Sequence, residues 1–292
     1  MMLRRVIFYI FMVFLMSMIF QPALFAKRNS EKLTTEDRTF LAGLFGGQGV
    51  EKRVLAAVFN DRRIRFMPGL VKQNVVNREN PFNYQQFLQP AAISQAKKFS
   101  RKWRTRLKRA EDKYGVDREV IVAILLVESR FGRCRGRDRV ISVFASILLE
   151  HHDKRKRARL EMLQTEAEKE KYLKRIEKKA RWAKQELLAL LKIKTERKID
   201  IFQLRGSYAG AFGMPQFLPS SYLAYACTSD QGARPDLNYA PDAIVSVANY
   251  LKAHGWRMDQ TKEAAEKAVW AYNRSTVYVK TVLGVAEILK NK

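Results

Sequence analysis

The sequence predicts a mainly α-helical protein, on three observations. Apolar residues recur at helical spacing, as in Phe99, Trp103 and Leu107. Charged residues interleave across residues 150–198 with no glycine or proline to interrupt a helix. Few segments alternate apolar and polar residues as a half-buried strand does.

Residues 1–26 carry Arg4 and Arg5, an apolar run over 6–20, then Gln21, Pro22 and a small residue, Ala26. That order is the order of a secretory signal peptide, with cleavage expected after Ala26 and export to the periplasm. An uncleaved amino-terminal anchor is the alternative, although the run is shorter than the roughly 20 residues that cross a bilayer. The two cysteines, Cys134 and Cys227, lie far from this site, which excludes a lipid on a mature amino-terminal cysteine. Residues 27–100 read as a helical N-terminal region of short segments, broken at Gly46-Gly47, Met67-Pro68-Gly69, Asn80-Pro81 and Gln89-Pro90. A long basic helix is expected over 91–113.

Residues 101–292 read as the main domain, with a charged helical arm at 150–198. In that arm Glu168 and Lys171 are three apart and Glu170 and Lys174 four apart, spacings that support an exposed helix. Its later part, with Trp182, Leu187, Leu188, Leu190 and Leu191, is apolar enough to dock. A loop punctuated by glycine and proline follows over 206–222, and helices return over 242–254, 262–272 and 278–290.

The formal net charge of the 292 residues is +26, and loss of residues 1–26 with their two arginines leaves about +24. A chain this basic suits a polyanion: nucleic acid, an anionic lipid surface or an acidic cell-wall polymer. Export argues against nucleic acid. A basic solvated surface without a specific partner is the plain alternative, since net charge bears on association and solubility, not fold. Two cysteines make either one bridge or a free pair. His151 and His152 are adjacent and His254 is remote, so no zinc site is expected, nor any cofactor.

Chemistry concentrates in residues 114–132. Asp117 is placed to cap a helix, residues 120–127 are apolar on every face, and Glu128 follows on the face of Ile121 and Ile124. Such a helix is buried all round. Burial and the negative helix end both push the pKa of Glu128 upward, the environment of an acid that must hold a proton near neutral pH. The alternative is an ion pair with Arg130 or Arg133 at the rim of the core. Gly132 offers a helix stop. In the 206–222 loop Gly206, Gly210 and Gly213 would let the backbone approach a ligand closely. Aromatic faces there would stack on sugar rings, and an amide or hydroxyl would read hydroxyl and acetamido groups. An ordinary surface loop is the alternative.

Four blocks together resemble the membrane-bound murein transglycosylase B family. They are Val127-Glu128-Ser129-Arg130-Phe131-Gly132-Arg133, the 206–222 loop from Gly206-Ser207-Tyr208 to Ser220-Ser221-Tyr222, residues 242–256 from Asp242 to Trp256, and residues 271–279 with Tyr272-Asn273. The resemblance is weak before about Phe82. It implies a lysozyme-like fold that cleaves the β-1,4 bond between N-acetylmuramic acid and N-acetylglucosamine in peptidoglycan strands. Glu128 would act alone, first as acid on the glycosidic oxygen, then as base on the muramoyl 6-hydroxyl, which closes a 1,6-anhydro ring. Most glycosidases need two carboxylates. Ser207, Gln216, Tyr250, Tyr272 and Asn273 match positions that line the family's sugar cleft. Tyr250, inside a helix, reads equally as core, and His254 and Trp256 read as packing at a helix end. Some relatives carry a calcium loop after the Ser220-Ser221-Tyr222 helix; residues 228–239 here put Arg234 and Pro235 in its place, so no metal is expected. The arm looks longer than usual and is a candidate for contact with a membrane or a cell-wall protein. A water-using muramidase and an inactive murein-binding protein are the competing readings.

Overall fold

In a computed structural model, residues 29–76, 82–230 and 234–291 are described, so the segment expected to be a signal peptide lies outside the described residues. A two-residue strand, β1 (Glu31–Lys32), leads into helices α1 (Thr35–Gly43) and α2 (Lys52–Phe59) and pairs antiparallel with β2 (Arg65–Phe66). Thr34 and Asp37 start α1 with a reciprocal capping box, which satisfies two amide donors that a helix start leaves unpaired. Helices α3 (Pro68–Val76), α4 (Phe82–Gln85), α5 (Pro90–Lys102) and α6 (Arg104–Tyr114) follow. The expected continuous helix over 91–113 is therefore two. Trp103 leaves helical geometry at φ −108° and ψ 19°, and Phe99 and Leu107 are buried on either side of the break.

Helix α7 (Arg118–Ser129) carries Glu128 and buries every residue from Val120 to Leu126. Asp117 precedes it as expected but makes no capping bond; its carboxylate instead meets Lys290 Nζ at 3.0 Å. The helix stops before Gly132, because Arg130 already takes the left-handed conformation at φ 49°, with Phe131 at 58°. After β3 (Asp138–Arg139) comes α8 (Val140–His151), and the expected single arm over 150–198 divides into the end of α8, then α9 (Asp153–Glu161) and α10 (Glu166–Arg197). Helix α8 belongs to the core, since all of Val140 to Glu150 is buried. The break before α10 has a local cause: Thr165 and Glu168 form a second capping box that starts a new helix. Glu168 is thereby turned back onto the amides of Gln164 and Thr165 instead of forward to Lys171, whereas the Glu170–Lys174 pair forms at 2.6 Å.

Strand β4 (Arg205–Gly206) pairs antiparallel with β3, and α11 (Pro219–Tyr225), α12 (Ala240–Ala253), α13 (Lys262–Tyr272) and α14 (Thr276–Lys290) complete the described chain. The apolar interior forms two clusters. One joins Leu41, Phe45, Phe59 and Leu70 of the amino-terminal region to α8 and α10. The other surrounds α7 with α5, α6, α12, α13 and α14. Residues before position 100 contribute to both, and Tyr272 packs against both. Cys134 and Cys227 are free.

Candidate active site

Glu128 stands at the last turn of α7, half-buried, where the all-apolar run ends. The hydroxyl of Tyr278 on α14 donates to Glu128 Oε1 at 2.6 Å. Ser275 caps α14 by accepting from the Tyr278 amide, and Tyr278, Val282 and Val285 form the buried stripe that docks the helix. Burial, followed by the charge of Glu128, holds the Tyr278 phenol well above its ordinary pKa of 10.0, so it keeps its proton across the physiological range. Such a donor favours the ionised form of its acceptor, opposite in sign to burial. Arg130 reaches Gln86 and lies over the Phe87 ring, and Arg133 reaches Gln95 at 3.5 Å.

Two more tyrosines complete the cluster. Tyr272 lies 4.7 Å from Tyr250 and 6.4 Å from Tyr278 between ring centroids. Its hydroxyl donates to Pro215 O at 2.6 Å, which fastens the 206–222 loop to α13. Burial and then Glu128 raise its pKa well above 10.0. The phenol of Tyr250 is pushed up to about 12, by burial first, then by Tyr225, with Glu128 contributing. Tyr250 is buried, donates to Ala271 O at 2.7 Å and stacks on His254 at 4.1 Å. It thus braces the end of α13 that carries Tyr272 and Asn273. Asn273 is half-buried, and its side-chain amide makes no hydrogen bond to the described residues. The packing expected of His254 and Trp256 is observed, with Trp256 buried.

The loop is braced from within. Phe212 and Phe217 exchange both backbone hydrogen bonds, and Ser207 N donates to Ala211 O at 2.8 Å. Ser207 Oγ accepts from the amides of Ala209 and Ala211. Gln216, at φ 51°, donates its amide to Gly213 O at 2.8 Å and Arg135 O at 3.3 Å. Ser207 and Gln216 therefore shape the loop before they meet any ligand. At Gly210 and Gly213 the close approach is to protein. A Cβ at Gly210 would sit 2.4 Å from the Phe144 ring, and one at Gly213, at φ +75°, 2.4 Å from Leu237 Cβ. Gly213→Ala is expected to cost about 2–4 kcal/mol, combining left-handed strain with overpacking. Thermal unfolding should show the loss as a Tm several degrees lower, and an unchanged Tm would mean that the loop gives way.

The sequence reading missed four supporting residues. Ser129 Oγ donates to Met214 O at 2.6 Å and accepts from Gly132 N, tying the residue after Glu128 to the loop. Asn74, buried on α3, donates to Tyr208 O at 2.7 Å. Tyr278 is the third. The fourth is Glu186 on α10, which is buried and accepts from Ser220 N at 2.9 Å and Ser220 Oγ at 2.8 Å at the start of α11. Burial raises the Glu186 pKa above its ordinary 4.5, against the lowering effect of Ser220. A carboxyl of this kind binds more protons folded than unfolded, so its contribution is lost as pH rises from 4.5 through the raised folded value. Glu186→Gln is therefore expected to be more stable than the native chain at neutral pH, with the difference vanishing in acid. Unfolding curves across that range check the sign.

Towards either end of residues 228–239, Asp242 accepts from the amides of Ser229 and Asp236, both at 2.8 Å. Elsewhere Glu111, Asp117 and Glu119 bring carboxylate oxygens within 4.8 Å of one another, with Arg118 and Lys290 supplying positive charge beside them.

A family model described as a transglycosylase SLT domain matches residues 38–267. The chain belongs to the transglycosylase SLT domain family. Membrane-bound lytic murein transglycosylase B of Escherichia coli (strain K12) is 32% identical over 170 residues, 58% of this chain and 40% of that protein. This chain thus spans about two-fifths of the length of its curated relative. Among solved structures, the soluble lytic transglycosylase SltB1 of Pseudomonas aeruginosa matches with a TM-score of 0.69 and 24% identity, covering 86% of this chain and 97% of that one. SltB3 of the same organism, in complex with NAG-anhNAM-pentapeptide, gives 0.68 at 20% identity over 88% and 79%. These matches show the shared fold, and the family match begins well before Phe82, where the sequence blocks were weak. The fourth block, with Tyr272, Asn273 and Tyr278, lies beyond the matched residues.

Proposed function

We propose that this SLT-domain protein is a lytic transglycosylase of peptidoglycan, cleaving the β-1,4 bond between N-acetylmuramic acid and N-acetylglucosamine and leaving 1,6-anhydromuramoyl ends. One observation carries this reading: a carboxylate at the end of a buried helix that accepts a hydrogen bond from the buried Tyr278, with Tyr272 and Tyr250 packed in the same ring cluster. Glu128 protonates the leaving oxygen, then takes the proton of the muramoyl 6-hydroxyl as that oxygen closes on C1. The half-buried Ser207, Gln216, Tyr272 and Asn273 contact sugar, with Tyr250 behind them. The solved relatives with NAG-NAM-pentapeptide and NAG-anhNAM-pentapeptide bound support a glycan strand as the substrate. Among the described residues no helix is long and apolar enough to cross a membrane. We place the mature protein in the periplasm on the signal-like order of residues 1–26.

The reaction type is tested by digesting purified murein in heavy-oxygen water and weighing the muramoyl ends. Unlabelled anhydro ends are expected, because an internal hydroxyl replaces water. Reducing ends carrying one heavy oxygen would establish a muramidase instead.

A further inference from the structure

Where α3, α8, α9 and α10 meet, a cavity of about 410 Å³ opens, a volume within the range of small-ligand pockets. Its acidic groups are already engaged by the protein. Glu150, 3% exposed at its base, accepts from Arg159 Nε at 3.0 Å and from the Tyr172 hydroxyl at 3.2 Å. Glu168 is held by the capping box of α10. Two of the cations are not matched in the same way. Lys72 of α3 and Lys171 of α10 face the cavity and make no ion pair with any described residue, and Arg175 adds further positive charge. The remaining wall is apolar: Val71, Leu163 and the ring of Tyr172.

We propose that this cavity binds a small amphiphilic anion, a phosphate or carboxylate group on a short apolar stem. The head lies between Lys72 and Lys171, and the stem lies against Val71, Leu163 and Tyr172. A charge-assisted contact at a partly enclosed site is stronger than one on open surface, and the apolar wall removes stem from water. Glu150 does not repel the head, because Arg159 and Tyr172 already engage its carboxylate. The site stands apart from Glu128 and does not depend on the proposed reaction.

Hexyl phosphate is the probe, with inorganic phosphate and hexanol as its separate halves, titrated into the full chain by calorimetry. Hexyl phosphate is expected to bind more tightly than either half. The pocket variant Lys72→Glu/Lys171→Glu should lose on the order of ten-fold or more in affinity. A charge-matched control, Lys98→Glu/Lys267→Glu, reverses two exposed lysines remote from the cavity and should stay close to the native chain. Equal losses in the two variants would reduce the effect to net charge and overturn the site, as would absence of hexyl phosphate binding. Lysine acylation footprinting on the native chain checks the same point without any variant: hexyl phosphate should protect Lys72 and Lys171 but not Lys98 and Lys267, and equal protection overturns it. Sedimentation with phosphatidylglycerol vesicles, against phosphatidylcholine vesicles, tells the source. Capture that the pocket variant loses assigns a lipid headgroup, and hexyl phosphate binding without capture assigns a soluble anion.

Discussion

Glu128→Gln is expected to abolish cleavage of purified murein, lowering turnover by about 10²–10⁴-fold or more, while fold and murein binding persist. The amide has the shape of the acid, and its carbonyl still accepts the Tyr278 hydroxyl that donates to Glu128 Oε1 at 2.6 Å. It has no proton of suitable acidity for a leaving oxygen and no basic site to take one back. The apolar residues Val120 to Leu126 that hold α7 are untouched, so Tm should move by about 1 kcal/mol equivalent or less. Two measurements check this together: release of soluble fragments, and sedimentation of the variant with intact sacculi. Residual turnover within ten-fold of native, in a preparation free of other murein enzymes, would remove Glu128 from the chemistry.

The parts of this site that were legible in the sequence are those set by local pattern. An apolar run on every face, bounded by Asp117 as a start and Gly132 as a stop, indicated a buried helix, so the placement of Glu128 followed. The mainly helical class followed from helical spacing elsewhere in the chain, and the four blocks together carried the family. What escaped was tertiary. Tyr278 is 150 positions from Glu128, and its spacing with Val282 and Val285 after a Ser275 cap could have marked a buried tyrosine but not its partner. The glycines were read for a ligand because a sequence cannot show that Phe144 and Leu237 fill the space above Gly210 and Gly213. The division of the arm was readable, since Thr165 and Glu168 have the spacing of a capping box, but the density of charge obscured it. Glu186 looked like one more charge in a charged helix, and only the packing of α10 against α11 shows it buried on Ser220.

Tyr278→Phe is the sharper test of how the site works, because it removes one hydroxyl and little else. The ring is fully enclosed, edge-on to Tyr84 at 5.9 Å and stacked with Tyr272 at 6.4 Å, and phenylalanine keeps that shape. A hydrogen bond to a charged group contributes about 1.5–3 kcal/mol, so kcat is expected to fall by about 10–100-fold if the bond steadies the carboxylate in its second, basic role. The pH profile separates this from simple loosening. The alkaline limb reports loss of the proton from the acid, and a donor to the ionised form favours that loss; without the donor the protonated form persists further. The limb should therefore move to higher pH in Tyr278→Phe. Tyr272→Phe loses a different bond, the one to Pro215 O that fastens the loop, so it should raise KM and leave the limb in place. If both variants lowered kcat alike with no shift of the limb, Tyr278 would be only a packing residue, and the hydrogen bond to Glu128 would have no part in setting its protonation.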